Sequence, residues 1–223
     1  MPDPPIESRF LATPEKGEVS AILLRPRDAT HLLVLGHGAS SNMRTLLLTK
    51  LAGHLAKAGI ATFRYNFPYS ENKTGRNSIT TCIATIRSAV AAAKSEAADL
   101  PLLAGGHSFS GRMTSHAQAE TPLEGVKGLA FFSFPLHPVG KPDISRAEHL
   151  KAVEIPMLFL SGTRDELGAP DLLEPVVEEL PRARLHLLDT ADHSFKVLKK
   201  TRESTEDVFD EIGRVVKDWA EKL

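Results

Sequence analysis

Residues 102–113 read LLAGGHSFSGRM: an apolar run breaks into two glycines, a histidine and a serine, then continues as a helix-compatible stretch. A serine set between a strand and a helix at so tight a bend is lifted to the end of a sheet, and the turn needs small residues on both sides. Gly106-His107-Ser108-Phe109-Ser110 fits the G-x-S-x-G pattern except at its last position, where Ser110 stands for glycine and Gly111 follows. A glycine-rich turn with a surface serine would match nearly as well. The weight of the motif therefore comes from what surrounds it.

On either side of it, short apolar runs ending in Gly or polar turns alternate with longer stretches of helical period, the pattern of a parallel sheet covered by helices. The expected strands are Val19 to Leu24, His31 to Leu35, Ile60 to Tyr65, Leu100 to Gly105, Val126 to Phe134, Met157 to Ser161 and Arg184 to Leu188. Most are apolar throughout, as strands buried on both faces should be. Between them Leu47, Leu51, Leu55 and Ala58 make one helical stripe ending at Gly59, and Ile79, Ile83, Ile86 and Val90 make another with Cys82 beside it. A last helix over about Glu203 to Glu221 would dock through Val208, Ile212, Val215, Val216 and Trp219. Its opposite side (Asp207, Glu211, Arg214, Lys217, Asp218) reads as a solvated charged face. The fold class is α/β: one domain over residues 1–223, with a mostly parallel sheet of about seven or eight strands and helices on both faces. Residues 135–154, with three prolines and two histidines, are the least patterned stretch, so no large lid is expected.

Composition narrows the function. The chain has 223 residues, 42% apolar and 25% charged, long enough to bury roughly 70% of its unfolded surface without staples. One cysteine, Cys82, excludes a disulfide framework and a multi-cysteine zinc site; on an apolar helix stripe it reads as core filling. A formal net charge of -1 gives no global field for nucleic acid. The apolar runs fall well short of the roughly 18 residues that span a bilayer. The start, MPDPPIESRF, lacks the basic and apolar stretches of a signal peptide. A cytoplasmic protein without nucleic-acid or membrane partners is the expectation.

A serine hydroxyl needs a base within hydrogen-bond reach, itself oriented by a third group. His193 follows the last strand and Asp165 follows the one before, so Ser108, Asp165 and His193 occur in the order Ser, Asp, His, all at the carboxyl edge of one sheet. Asp189 and Asp192 lie nearer His193 in sequence, but an orienting carboxylate should approach from a neighbouring strand's loop, which favours Asp165. Residues 35–40, LGHGAS, form a second strand-ending turn suited to an oxyanion hole, with the amides of Ala39, or else Ser40, and Phe109 as donors. His37 and His107 sit inside these two turns and read as braces. Arg112, one helical turn past Ser108, suits either an acidic substrate or an internal salt bridge. Phe67, Tyr69, Leu136 and His137 come from loops at the expected site edge and are candidates for the substrate wall.

Taken together these parts resemble the α/β-hydrolase superfamily from about Val19 onward. RYNFPY (64–69), FSFPLHPVGKP (132–142) and SGTRDELG (161–168) are similar to the small dienelactone-hydrolase-like group, closest to its testis-expressed and chromatin-complex-subunit type. The resemblance implies a triad of Ser108, His193 and Asp165, no metal and no organic cofactor. Dienelactone hydrolase itself uses a cysteine where this chain has Ser108, so its substrate does not carry over, and Ser110 is the other departure. The expected function is hydrolysis of a small or exposed ester, thioester or related acyl bond, with a small-molecule acyl substrate. A non-catalytic interaction module with a protein partner, or an acyltransferase, are the alternatives.

Overall fold

Strands covered on both faces should be buried along their whole length, and in the computed structural model every residue of three of them is. The structure describes residues 4–223, so Met1, Pro2 and Asp3 of the proline-rich start lie outside the described residues. In chain order the elements are β1 (Ile6–Thr13), β2 (Gly17–Leu24), β3 (His31–Gly36), α1 (Leu46–Lys57), β4 (Ile60–Tyr65), α2 (Pro68–Glu71), α3 (Ile79–Glu96) and β5 (Leu102–His107). There follow α4 (Phe109–Glu120), β6 (Val126–Phe132), a 3-10 helix (Ser145–Ala152), β7 (Met157–Gly162), α5 (Pro170–Glu178), β8 (Ala183–Leu188) and α6 (Val208–Ala220). The strands form one eight-stranded sheet in the order β1-β2-β4-β3-β5-β6-β7-β8. The pairs β1/β2 and β2/β4 are antiparallel, and the others are parallel.

Side chains alternate across a strand, so neighbouring residues feed different cores. Ala104, Phe131 and Phe159 enter the core beneath α3, α4 and α5. Leu103, Phe132 and Leu160 enter the one beneath α1 and α6. Each fully buried large side chain contributes about 1.5–3 kcal/mol, which makes both faces obligatory. Gly128 of β6 leaves room for the last helix: a Cβ there would lie 2.6 Å from the Trp219 ring.

The order of strands also places the site. From β3 the chain goes to β4 on one side, then crosses to β5 on the other. At such a reversal the connections leave in opposite directions, opening a crevice beyond the carboxyl ends of the two central strands. The turns after β3 and β5 are the 36–40 and 106–110 segments.

Four expectations change. An eighth strand, β1, precedes the seven expected; it lies at the edge with exposed Glu7, Arg9 and Leu11, so no continuous apolar run announces it. Strand β6 stops at Phe132, because Ser133 turns the backbone to φ +58°. The last helix starts at Val208, where Asp207 caps it by accepting from the Phe209 amide at 2.9 Å. Its charged face is not wholly solvated: Glu211 is buried, ion-paired with Arg202 and bonded to His186 Nε2 at 2.8 Å. Glu211 gains its partners, Arg202 and His186, from the preceding loop and from β8, which helical periodicity cannot show.

Candidate active site

The turn after β5 is built from absences of side chain. A Cβ on Gly105 would lie 1.8 Å from the Ala130 carbonyl oxygen, and one on Gly111 would lie 2.8 Å from that of Gly106. Ser110, at the position where the pattern calls for glycine, is fully buried and donates to the His107 carbonyl at 3.1 Å. Its space comes from elsewhere: a Cβ on Gly36 would meet the Ser110 Cβ at 2.5 Å. Glycines at 36 and 106 thus accommodate the extra atoms of Ser110. The turn leaves Ser108 at φ +53°, ψ −112°, a conformation that costs a non-glycine residue about 1–3 kcal/mol. Its amide is anchored to the Phe132 carbonyl at 2.8 Å.

Ser108 Oγ lies 2.8 Å from His193 Nε2. On the other side of the ring, His193 Nδ1 is 2.8 and 2.9 Å from the two oxygens of Asp165. Asp165 is buried, and its Oδ1 also accepts from the Leu167 amide at 2.9 Å. A carboxylate can only accept, so Nδ1 carries the proton and Nε2 presents a lone pair to the Ser108 hydroxyl. This arrangement can take a proton from Ser108 and hold the resulting imidazolium against a buried negative charge. Asp189 and Asp192 do other work. Asp192 Oδ1 accepts from the amides of Ser194 and Lys196, and Asp189 accepts from that of Glu203.

The two other histidines hold turns. His107 donates from Nε2 to the His193 carbonyl at 2.9 Å, tying the end of β5 to the loop that carries the base. His37 donates from Nδ1 to the Gly38 carbonyl at 2.8 Å and accepts from the Phe67 amide at 3.2 Å on Nε2. Burial pushes both rings down to about 4 from an ordinary 6.5. The unfolded chain therefore binds more protons between those two values. Stability is complete above pH 6.5 and is lost as pH falls through 4, by about 2 to 3 kcal/mol for each ring at about pH 4.5. Urea midpoints should drop steadily over this window; a constant midpoint would refute the burial of neutral rings.

Among the described residues, the amides of Ala39 and Phe109 donate to no protein acceptor. The Phe109 amide is the first of α4. The 36–40 turn lies alongside, since a Cβ on Gly38 would be 3.2 Å from His107 Nδ1. Unsatisfied donors on fixed backbone are what a developing oxyanion requires.

The candidates for a substrate wall need correction. Phe67 and Leu136 are fully buried and offer no surface, and His137 is 3% exposed with Nδ1 turned to the Pro138 carbonyl at 2.8 Å. Phe67 is held in an aromatic cluster with His37, Tyr65, Tyr69 and Phe109. Apolar loop residues turn inward to complete the core under α3 and α4, a choice that sequence position does not reveal. Tyr69 alone borders an open cleft, about 330 Å³, with Ala39, Ser40 and Arg76 on its walls. Arg76 was not anticipated; its guanidinium lies 5.3 Å from the centre of the Phe109 ring.

Cys82 is fully buried, and desolvation pushes its thiol up to about 11, so it is no nucleophile at neutral pH. A ligand set of metal-binding type among the described residues, His54, Asp207 and Asp210, sits at the α1/α6 face and shares no residue with the Ser108 cluster. No helix among the described residues is long and apolar enough to cross a membrane.

Residues 29–221 match the family model described as an alpha/beta hydrolase domain. Solved structures superpose along nearly the whole chain. A dienelactone hydrolase from Anabaena variabilis is 21% identical at a TM-score of 0.74, covering 98% of each chain. An α/β serine hydrolase without a lid from Xanthomonas campestris is 18% identical at 0.71, covering 99% of this chain and 96% of its own. The ferulic-acid-bound Est1E of Butyrivibrio proteoclasticus is 16% identical at 0.69, covering 92% of this chain and 95% of its own. At these identities the likeness establishes the shared fold.

Proposed function

The chain belongs to the alpha/beta hydrolase domain family, and from that premise we propose that it is a serine hydrolase cleaving a small or exposed ester or thioester through an acyl-enzyme. The observation that carries this reading is the continuous hydrogen-bonded series from Asp165 through His193 to Ser108.

In this mechanism Ser108 Oγ attacks the acyl carbon while its proton passes to His193 Nε2. Asp165, accepting from Nδ1, stabilises the imidazolium without taking the proton. The amides of Ala39 and Phe109 receive the charge that develops on the carbonyl oxygen, an interaction typically worth about 3–4 kcal/mol for one donor. Collapse of the tetrahedral species expels the alcohol or thiol, which takes the proton from Nε2. Water then repeats the sequence on the acyl-enzyme, giving its proton to His193, and releases the acid with Ser108 restored. The half-buried His193 ring supports water as the second nucleophile, since solvent reaches its edge.

A fluorophosphonate probe tests this directly. Peptide mapping is expected to find a single adduct, on Ser108, with none in Ser108→Ala. An intact mass unchanged after prolonged exposure, together with no turnover of p-nitrophenyl acetate above that variant, would favour a non-catalytic interaction module. Acyl transfer to an added alcohol outpacing hydrolysis would favour an acyltransferase.

A further inference from the structure

Arg112 stands one turn beyond Ser108, its amide reaching back to the Ser108 carbonyl at 3.3 Å. Its side chain is half-buried, yet among the described residues it has neither an ion-pair partner nor a hydrogen-bond acceptor. Arg9, Arg25, Arg44, Arg202 and Arg214, by contrast, are paired with carboxylates. Burial, followed by the like charges of Arg146 and Arg76, pushes the Arg112 pKa down. Arg146 and Arg76 are thus the cations that act on Arg112.

Neither of the other two has a carboxylate partner among the described residues. Arg146 belongs to the 3-10 helix, which is fastened to α4 where His149 Nε2 meets Ser115 Oγ at 2.7 Å. Ser115 spends its own proton on the Arg112 carbonyl, so His149 is the donor in that pair. Stacked 3.6 Å from His116 and held near pKa 3 by burial, His149 stays neutral and contributes no further charge. Arg76 lies over the Phe109 ring and lines the cleft that also exposes Ala39 and Ser40. Arg112 follows Phe109 by three residues on α4 and precedes Ser115 by three, so it stands on the helix between the ring that Arg76 covers and the contact that holds the 3-10 helix of Arg146.

Like charges gathered without counter-ions repel one another, and an arriving anion relieves that repulsion while forming paired N–H···O contacts with planar guanidinium groups. We propose that Arg76, Arg112 and Arg146 form an anion-binding subsite beside Ser108, so that the preferred substrate is an acyl compound bearing a carboxylate or phosphate group near the scissile carbonyl. This rests on the hydrolase reading and names its substrate class.

Two chromogenic esters of equal chain length, p-nitrophenyl hemiadipate and p-nitrophenyl hexanoate, differ in one terminal carboxylate. The wild type is expected to favour the hemiadipate in kcat/KM by about tenfold or more at low salt, the yield of one charge-assisted contact. That ratio should collapse toward one in Arg112→Gln and in Arg76→Gln, the latter an exposed position where folding is not at stake, and should shrink with added sodium chloride. Calorimetric titration of Ser108→Ala with monomethyl adipate and with inorganic phosphate reads the subsite without chemistry. Tighter phosphate binding assigns a phosphate-bearing substrate, and tighter adipate binding a carboxylate. If hexanoate is turned over with no preference for the hemiadipate, or with one untouched by both substitutions, the subsite is refuted while the hydrolase stands. If neither ester reacts but Ser108→Ala binds an anion that Arg112→Gln releases, the subsite stands and the hydrolase reading falls. Absence of both turnover and anion binding refutes the two together.

Discussion

Replacing Ser108 with glycine is expected to abolish turnover and yet to leave a more stable protein than replacing it with alanine. The loss of activity follows from removing the attacking oxygen, on the order of 10⁴-fold or more. The stability order follows from the backbone. At φ +53°, ψ −112° Ser108 occupies the mirror image of an ordinary extended conformation, which glycine adopts freely and any side chain resists. Alanine retains the strain of about 1–3 kcal/mol, whereas glycine sheds it against an added entropy cost of about 0.5–1 kcal/mol. The balance favours glycine by about 1 kcal/mol, or about 2–4 °C in Tm for a chain of this size. Thermal melts of the two variants decide it. An alanine variant as stable as the glycine one would mean that the turn stores no strain, and residual turnover in either would remove Ser108 as nucleophile.

Asp165→Asn should be nearly as damaging to turnover, by about 10⁴-fold, while keeping the fold. The Leu167 amide donates to Oδ1 at 2.9 Å, so an asparagine will place its carbonyl oxygen there and its NH₂ at the Oδ2 position, 2.9 Å from His193 Nδ1. A donor at that point selects the imidazole with its proton on Nε2. That nitrogen then faces Ser108 Oγ with a proton instead of a lone pair, and the serine has no base. Proton NMR of the ring nitrogens should show the proton moved from Nδ1 to Nε2, and kcat should fall with little change in KM. Unaltered kcat would exclude Asp165 from orienting His193. A fall in kcat with the proton still on Nδ1 would point to lost charge as the dominant effect.

Much of the fold was legible because it depends on local pattern. Apolar runs such as Leu102 to Gly105 of β5 and Met157 to Leu160 of β7 are read as doubly covered strands. The glycines around Ser108 mark a turn that only small residues can make. The strand β1 escaped because an edge strand alternates, and its charged residues look like loop. Order along the chain brought Asp165 and His193 forward as partners, since both follow strands of one parallel sheet. Phe67 and Leu136 were misplaced for the same reason that Asp165 was found: position at the end of a strand locates a loop, but not the direction in which its side chains turn.

What the sequence determined alone was the class of architecture and the bend at Ser108, because strand burial and turn strain are properties of a residue and its near neighbours. The tertiary structure decided the matters that need distant segments in contact. It brought Gly36 against Ser110, so that a serine fits where the pattern asks for glycine. It carried Glu211 into an ion pair with Arg202. It laid the Arg76 guanidinium over the Phe109 ring and left Arg112, among the described residues, without an ion-pair partner. Charge and packing act through space, and residues 36 and 110, or 76 and 109, become neighbours only after the sheet has formed.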